Sequence, residues 1–249
     1  MLIVERHQRL LDMLRDLGTA QLENMAEGVG VSVSTVRRDL ETLEQQGLVE
    51  RTHGGAIYRG PQQHHYALSE RMKEHIEQKQ MIGRHAASLV LPHMTILLDG
   101  GSTVHHAAMQ IDARPIQVVT NSLTIAQLFA DEDQVELMLI GGNLYPRTGV
   151  MLGPIATRCL ADLHADLMLF SVAGIYDDGC YNQNLAMAEV EQAMMHQAAR
   201  SVLLMDSTKF GRKSLARVCA VDDLELVITD PDISGRWTKQ FGDRLAVAE

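Results

Sequence analysis

Gly30-Val31-Ser32-Val33-Ser34-Thr35-Val36-Arg37-Arg38-Asp39-Leu40 decides how the fold is read. A glycine permits a tight turn, and a serine hydroxyl is a good cap for the free N–H groups of a helix start. The helix opened by Ser32 is expected to run to about Gln46, where Gly47 closes it. Val33, Val36, Leu40 and Leu43 share one face, which leaves Ser34, Thr35, Arg37 and Arg38 on the other. Upstream, Leu10, Leu14 and Leu17, joined by Ile3 and Leu11, set an apolar helix face over residues 5–17, ended by Gly18. A short helix at about Leu22–Glu27 buries Leu22, Met25 and Ala26, and Gly28 and Gly30 form the turn before Ser32. Residues 48–57 hold two short apolar runs with Gly54-Gly55 near the tip, the pattern of a two-stranded hairpin. Three helices and a hairpin over residues 1–57 make a winged helix-turn-helix.

The third helix of such a unit enters the major groove of a duplex. Arg37 and Arg38 are the candidates for bidentate pairing to guanine, worth about 1–3 kcal/mol of base discrimination each. Ser34 and Thr35 are placed to donate to phosphate, and Arg51 and His53 on the hairpin to reach the backbone or minor groove. An isolated Arg-Arg pair is more often a solvated face matched to acids such as Asp39 and Glu41. The complete helical-plus-wing pattern around it favours the groove. A winged unit that binds protein instead is the lesser alternative.

Bulk composition narrows the classes. The chain has 249 residues with a net charge of −10, divided as −2 over residues 1–60 and −8 over the remainder. There is no basic domain, so any DNA contact must come from locally placed arginines. No apolar run approaches the ~18 residues of a membrane span, and the first residues turn polar at once, unlike a secretory signal. Cys159, Cys180 and Cys219 are odd in number, far apart and without a C-x-x-C pair, as expected of reduced thiols in a cytoplasmic protein.

Residues 58–68 carry Gly60, Pro61, two glutamines and two histidines and break the pattern, so residues 58–74 are expected to be a linker and the start of a connecting helix. That helix is expected from Ser69 to about Val90. Apolar runs at Thr95–Leu98, Ile116–Thr120, Val135–Ile140, Leu167–Val172, Ser201–Met205 and Leu224–Thr229 then alternate with helical stretches. This is the mark of an α/β domain with a doubly wound parallel sheet over residues 75–249.

Four loops at the predicted strand ends carry small and polar residues, where open α/β sheets bind ligands. Asp99-Gly100-Gly101-Ser102-Thr103 joins a strand to a helix start, a combination that suits a phosphate. Asn121-Ser122 and Gly141-Gly142 with Arg147 follow two further strands, and Lys209 supplies a cation from Asp206-Ser207-Thr208-Lys209-Phe210-Gly211. The candidate ligand residues are therefore Asp99, Gly100, Gly101, Ser102, Thr103, Asn121, Ser122, Gly142, Arg147 and Lys209. Neither a P-loop nor a G-x-G-x-x-G is present, which argues against nucleotide hydrolysis and nicotinamide binding. His64-His65 and His105-His106 are adjacent pairs without carboxylates at ligand spacing, so no metal site and no cofactor are expected. Met187, Met194 and Met195 are expected to pack in a core or interface.

These segments, together with Arg6-His7-Gln8, His53-Gly54-Gly55-Ala56, Val119-Thr120-Asn121-Ser122-Leu123 and Ile228-Thr229-Asp230, resemble the DeoR family of bacterial sugar-metabolism regulators over essentially the whole chain. The resemblance implies a repressor of a carbohydrate operon that binds double-stranded operator DNA and is controlled by a phosphorylated sugar. It also implies an effector domain similar in fold to ribose-5-phosphate isomerase. Met187-Ala188 and Glu191 stand where the family pattern carries a Glu-Ala pair and a downstream Lys. A base and a cation near the sugar are then missing, which counts against residual isomerase activity. An isomerase with an accessory winged domain is the competing reading, with Asp99 in a predicted ligand loop as its acid and Asp177 and Asp178 as weaker alternatives. A homodimer or homotetramer is expected, because two-fold operators mirror two-fold proteins.

Overall fold

The structure is a computed structural model that describes residues 2–17, 19–52, 54–58 and 68–249. The chain divides into two compact units, residues 1–65 and 66–249.

The N-terminal unit contains α1 (Ile3–Leu17), β1 (Thr19–Gln21), α2 (Leu22–Val29), α3 (Val33–Gln45), β2 (Val49–Arg51) and β3 (Gly55–Tyr58). Leu10 and Leu14 of α1, Met25 and Val29 of α2, and Val36, Leu40 and Leu43 of α3 form one core with Val49 and Ala56 of the hairpin. The Ser32 hydroxyl accepts the Thr35 N–H at 3.3 Å, and Gly30 adopts φ 70°, as the turn reading requires. The hairpin gains a third strand that its own sequence did not announce. β1 pairs antiparallel with β3, Ala20 opposite Ala56. A Cβ at Gly55 would stand 2.0 Å from the Ala20 carbonyl oxygen, so this pairing needs glycine there. Gly18 lies outside the described residues.

The second unit opens with α4 (Leu68–Arg71) and α5 (Ile76–Ala87). The single connecting helix expected from Ser69 to Val90 is therefore broken. His75 takes a left-handed conformation at φ 50°, and the carbonyls freed at Arg71 and Glu74 both accept from the buried Lys79 ammonium, the latter at 2.6 Å. The elements that follow are β4 (Thr95–Leu98), α6 (Ser102–Ala108), β5 (Ile116–Thr120), α7 (Leu123–Phe129), β6 (Val135–Leu139), β7 (Asn143–Tyr145), β8 (Val150–Leu152) and α8 (Pro154–Leu160). The chain continues through β9 (Leu167–Phe170), β10 (Gly174–Tyr176), β11 (Gly179–Asn182), α9 (Leu185–Gln197), β12 (Ser201–Leu204), β13 (Ala216–Cys219), β14 (Leu226–Thr229), α10 (Gly235–Phe241) and β15 (Leu245–Val247).

Seven strands form one parallel sheet in the order β15-β14-β12-β9-β4-β5-β6. Alternate residues of the central strands face opposite ways, so Leu97, Met168, Phe170 and Leu203 pack with α8, α9 and α10. Ile96, Leu98, Leu167 and Leu169 pack with α5, α6 and α7. Both faces are covered, which is why these strands read as unbroken apolar runs. The order reverses between β4 and β9, and such a switch point is where open α/β sheets place a ligand crevice at the strand C-termini. A β7-β8 hairpin and a small β10-β11-β13 sheet are additions that the apolar runs did not reveal. Met194 is buried in the α9 core, with Met187 and Met195 packed against it.

Candidate DNA interface and sensor site

Charge pairing decides what the third helix presents. Asp39 is buried on α3 and takes a two-pronged contact from Arg6, Nε to Oδ2 at 2.6 Å and Nη2 to Oδ1 at 2.9 Å, with His7 Nε2 at 3.1 Å from Oδ1. Burial alone would raise the Asp39 carboxyl, but the bonds from Arg6 and His7 outweigh it and hold it below the usual range. Glu41 and Glu44 are taken by Arg51, at 3.0 and 2.7 Å. Arg51, expected to reach the DNA backbone or minor groove, ties the hairpin to α3 in this structure.

With those acids engaged, Arg37 and Arg38 stand exposed, and neither makes an ion pair among the described residues. Ser34 is exposed and Thr35 half-buried at the helix start, their hydroxyls each 2.9 Å from the Ser32 hydroxyl. His53 lies outside the described residues.

The candidate sensor site lies where the loops after β4, β5 and β9 approach one another, with Lys209 from the loop after β12 close to Asp99. Gly100 and Gly101 permit the convergence. A Cβ at Gly101 would stand 1.9 Å from the Ser171 hydroxyl, and one at Gly100 2.1 Å from Val150 Cγ1. Asp99 is fully buried, and its Oδ2 accepts the Ser171 N–H at 3.3 Å. Burial pushes its carboxyl up, against the pull of the Ser171, Gly100 and Gly101 N–H groups. Asp99 therefore organises the loop.

Thr103 and Asn121 are buried, with the Thr103 hydroxyl and the Asn121 Oδ1 unpartnered. Asn121 Nδ2 donates to the Met151 carbonyl at 3.3 Å. Ser122 is occupied as the cap of α7, accepting the Ile125 N–H at 3.4 Å, and Ser102 is buried beside Thr103. Lys209 is 3.8 Å from Asp206, and the next residue, Phe210, packs on Trp237 and Phe241 with ring centroids 5.4 and 6.3 Å away. Burial pulls the Lys209 ammonium down, while Asp206 works the other way.

Two expected residues are less central. Gly142 serves packing, since a Cβ there would stand 2.8 Å from the Leu152 carbonyl oxygen. The Arg147 side chain is exposed, and its carbonyl accepts the Leu68 N–H at 3.2 Å.

Four groups went unnoticed as site residues in the sequence. Arg71 has a buried, unpartnered Nε, and its charge is felt by Asp99 and Lys209. Burial lowers its affinity for a proton. Lys79 is buried and drawn down to about 8 by desolvation, with Lys209 adding to the effect. Thr148 has an unpartnered buried hydroxyl, and Glu191 an unpartnered Oε2. The signal for Arg71 was present only as a basic residue just after the linker. Among the described residues, no group of three or more His, Cys, Asp or Glu side chains could hold a metal ion; His64 and His65 lie outside them. No helix among the described residues is long and apolar enough to cross a membrane.

Comparison with known proteins assigns both units. Residues 6–62 match the model of the DeoR-like helix-turn-helix domain, and residues 74–231 that of the DeoR C terminal sensor domain. The HTH-type transcriptional repressor GlcR of Bacillus subtilis is 33% identical over 226 residues, covering 91% of this chain and 88% of the relative. The L-fucose operon activator of Escherichia coli is 33% identical over 228 residues, covering 90% and 94%. Similar solved structures include ribose 5-phosphate isomerase A from Methanocaldococcus jannaschii, with TM-score 0.39, 14% identity and 54% of each chain covered. Two family models in tandem, and relatives aligned through both units, establish that the chain belongs to the DeoR family of transcriptional regulators.

Proposed function

We propose that this regulator represses a carbohydrate catabolic operon in the cytoplasm, and that a phosphorylated sugar controls it. One observation carries the DNA half. The acids around α3 are engaged by Arg6, His7 and Arg51, so Arg37 and Arg38 are left free for a polyanion. Their neighbours Ser34 and Thr35 contact phosphate. The arginines rather than net charge supply the specificity, and an acidic sensor unit disfavours non-specific association.

The sensor half rests on the unpartnered buried atoms of Arg71, Thr103, Asn121, Thr148 and Glu191. Buried polar groups without partners are costly; Thr103 and Asn121 follow β4 and β5, and Arg71 and Glu191 act electrostatically on Asp99 at the end of β4, which fits a bound polar ligand. Lys209 and Arg71 supply the charge for its phosphate, with Arg147 at the rim, while Thr103 and Asn121 meet phosphate or hydroxyl oxygens. Ser102, Ser122, Asp99, Gly100, Gly101 and Gly142 shape the loops around it. A ligand shifts operator affinity only by binding one arrangement of the protein better than another. The active species is a homodimer or homotetramer, since half-sites spaced by about 10 bp call for two winged units.

Gel-shift titration on the DNA upstream of the protein's own gene tests both halves. Specific binding is expected, and millimolar concentrations of at least one phosphosugar are expected to change it. A binding curve that no phosphosugar moves would refute effector control. The protein is not an enzyme in this reading, because Asp99 is held by backbone N–H groups and is not free to carry protons between carbons. A coupled assay on pentose and hexose phosphates should show no turnover.

A further inference from the structure

Glu191 is a buried carboxyl on α9, one of the unpartnered groups of the sensor but the one not yet matched to any part of the ligand. Its orientation is fixed. Asn182 Oδ1 accepts the Gln183 N–H at 3.0 Å, which turns the Asn182 amide nitrogen towards Glu191, where it donates to Oε1 at 2.6 Å. The other oxygen, Oε2, is buried and has no partner. The remaining buried carboxylates of the sensor are occupied. Asp99 accepts backbone N–H groups, Asp206 is bound by Thr208 and Lys209, and Asp230 accepts the Ser207 and Asp232 N–H groups. Among the described residues Glu191 is the one Asp or Glu with a buried, unsatisfied oxygen.

Its surroundings point the same way. Glu191 and Arg71 lie within electrostatic reach of each other and of Asp99. They carry opposite formal charges, yet they form no ion pair, and each keeps an unpartnered buried atom. The α4 backbone that carries Arg71 is anchored: its carbonyl accepts from Lys79, and the Leu68 N–H, on the same short helix, donates to the Arg147 carbonyl. A half-buried arginine with a buried Nε and a buried carboxyl that form no ion pair suit the two ends of a site. A phosphate dianion satisfies the cationic end and only accepts hydrogen bonds, so it offers nothing to an ionised carboxylate. The far end needs an O–H or N–H.

We propose that Glu191 reads a hydrogen-bond donor, a hydroxyl or an amine, on a phosphorylated ligand whose anionic end lies at Arg71 and Lys209. This rests on the phosphosugar reading above and adds the polarity of the ligand and the residue that selects it. Burial, with Asp99 close by, pushes the Glu191 carboxyl well up. A hydroxyl can meet either protonation state, whereas an ammonium would draw the carboxylate form. A site built around such a pair rejects the analogue that lacks the donor, because its own polar group is then left unpaired.

The test uses the full chain and calorimetry with inorganic phosphate, a set of pentose and hexose phosphates, and the singly deoxy and amino analogues of the tightest binder. It compares the wild type with Glu191→Gln and Glu191→Leu. Inorganic phosphate is expected to bind all three proteins alike, which also reports that the variants are folded. In the wild type, at least one deoxy position is expected to lose tenfold or more in affinity, and in Glu191→Leu that loss disappears. An amino analogue that outbinds its hydroxyl parent identifies the donor as an amine; the reverse order identifies a hydroxyl. Equal discrimination by wild type and Glu191→Leu at every carbon would overturn the proposal while leaving the phosphosugar site intact. Failure of the wild type to bind phosphate or any phosphosugar would remove the site reading itself, and this proposal with it.

Discussion

The two units handle charge in opposite ways. In the winged unit the acids near α3 are matched by Arg6, His7 and Arg51, and Arg37 and Arg38 are exposed without an ion pair among the described residues. In the sensor, Lys79 and the carboxyls of Asp99, Glu191, Asp206 and Asp230 lie buried, Arg71 and Lys209 are half-buried, and Arg71 and Glu191 each keep a buried polar atom without a partner. A surface that must meet a long polyanion needs exposed arginines whose neighbours do not compete for them. A site for a small anion needs the reverse: groups withdrawn from water, where each bond is stronger, and left open until the ligand arrives. Net charge hides this contrast, because both units are acidic.

The contrast can be broken on the DNA side first. Changing Arg37 and Arg38 together to Ala should cost the most, about 1–3 kcal/mol for each guanine pair lost, and so remove specific operator binding in a gel shift. Phosphate binding by the sensor should be untouched, and a loss there would mean the two charge systems are not separate. On the sensor side, Lys209→Met should weaken inorganic phosphate binding by about 1.5–3 kcal/mol, read by calorimetry, with ligand-free operator affinity unchanged.

Asp39→Ala sharpens the comparison from within the winged unit. It strands Arg6 and should destabilise that unit by about 2 kcal/mol, seen as faster amide exchange in α1 and α3. The Asp39 carboxyl sits below its ordinary value in the folded chain. Its stabilisation is therefore full above about pH 3.9 and fades as pH falls through the folded value, so the variant should lose that part of the acid dependence. Ser32→Ala removes the cap on α3 and should cost about 1 kcal/mol, with a matching small loss in thermal midpoint.

The parts of the molecule legible in the sequence are those written in local spacing. The Gly30 turn, the Ser32 cap, the apolar face of α3 and the alternation of apolar runs with helices all follow from neighbours a few residues apart, and they place Thr103, Asn121 and Lys209 at strand ends. Elements decided by distant partners were not legible. β1 exists because Ala20 meets Ala56, and nothing in Thr19-Ala20-Gln21 alone requires a strand. The break at His75 depends on Lys79 reaching back to two carbonyls. Glu191 could be recognised as a departure from the family pattern, but its open oxygen appears only when Asn182 is seen bound to the other one.

The Lys79 ammonium has a consequence of its own. It stands in for the turn of helix missing between α4 and α5, gripping the carbonyls that an unbroken helix would have bonded internally. A methionine there would match the stem and still leave two acceptors stranded away from water, so rebuilding the missing turn would become the chain's best escape. That rewinding would turn Arg71 about the helix axis, so in the proposed site one lysine that need never touch the ligand would set where the Arg71 guanidinium stands.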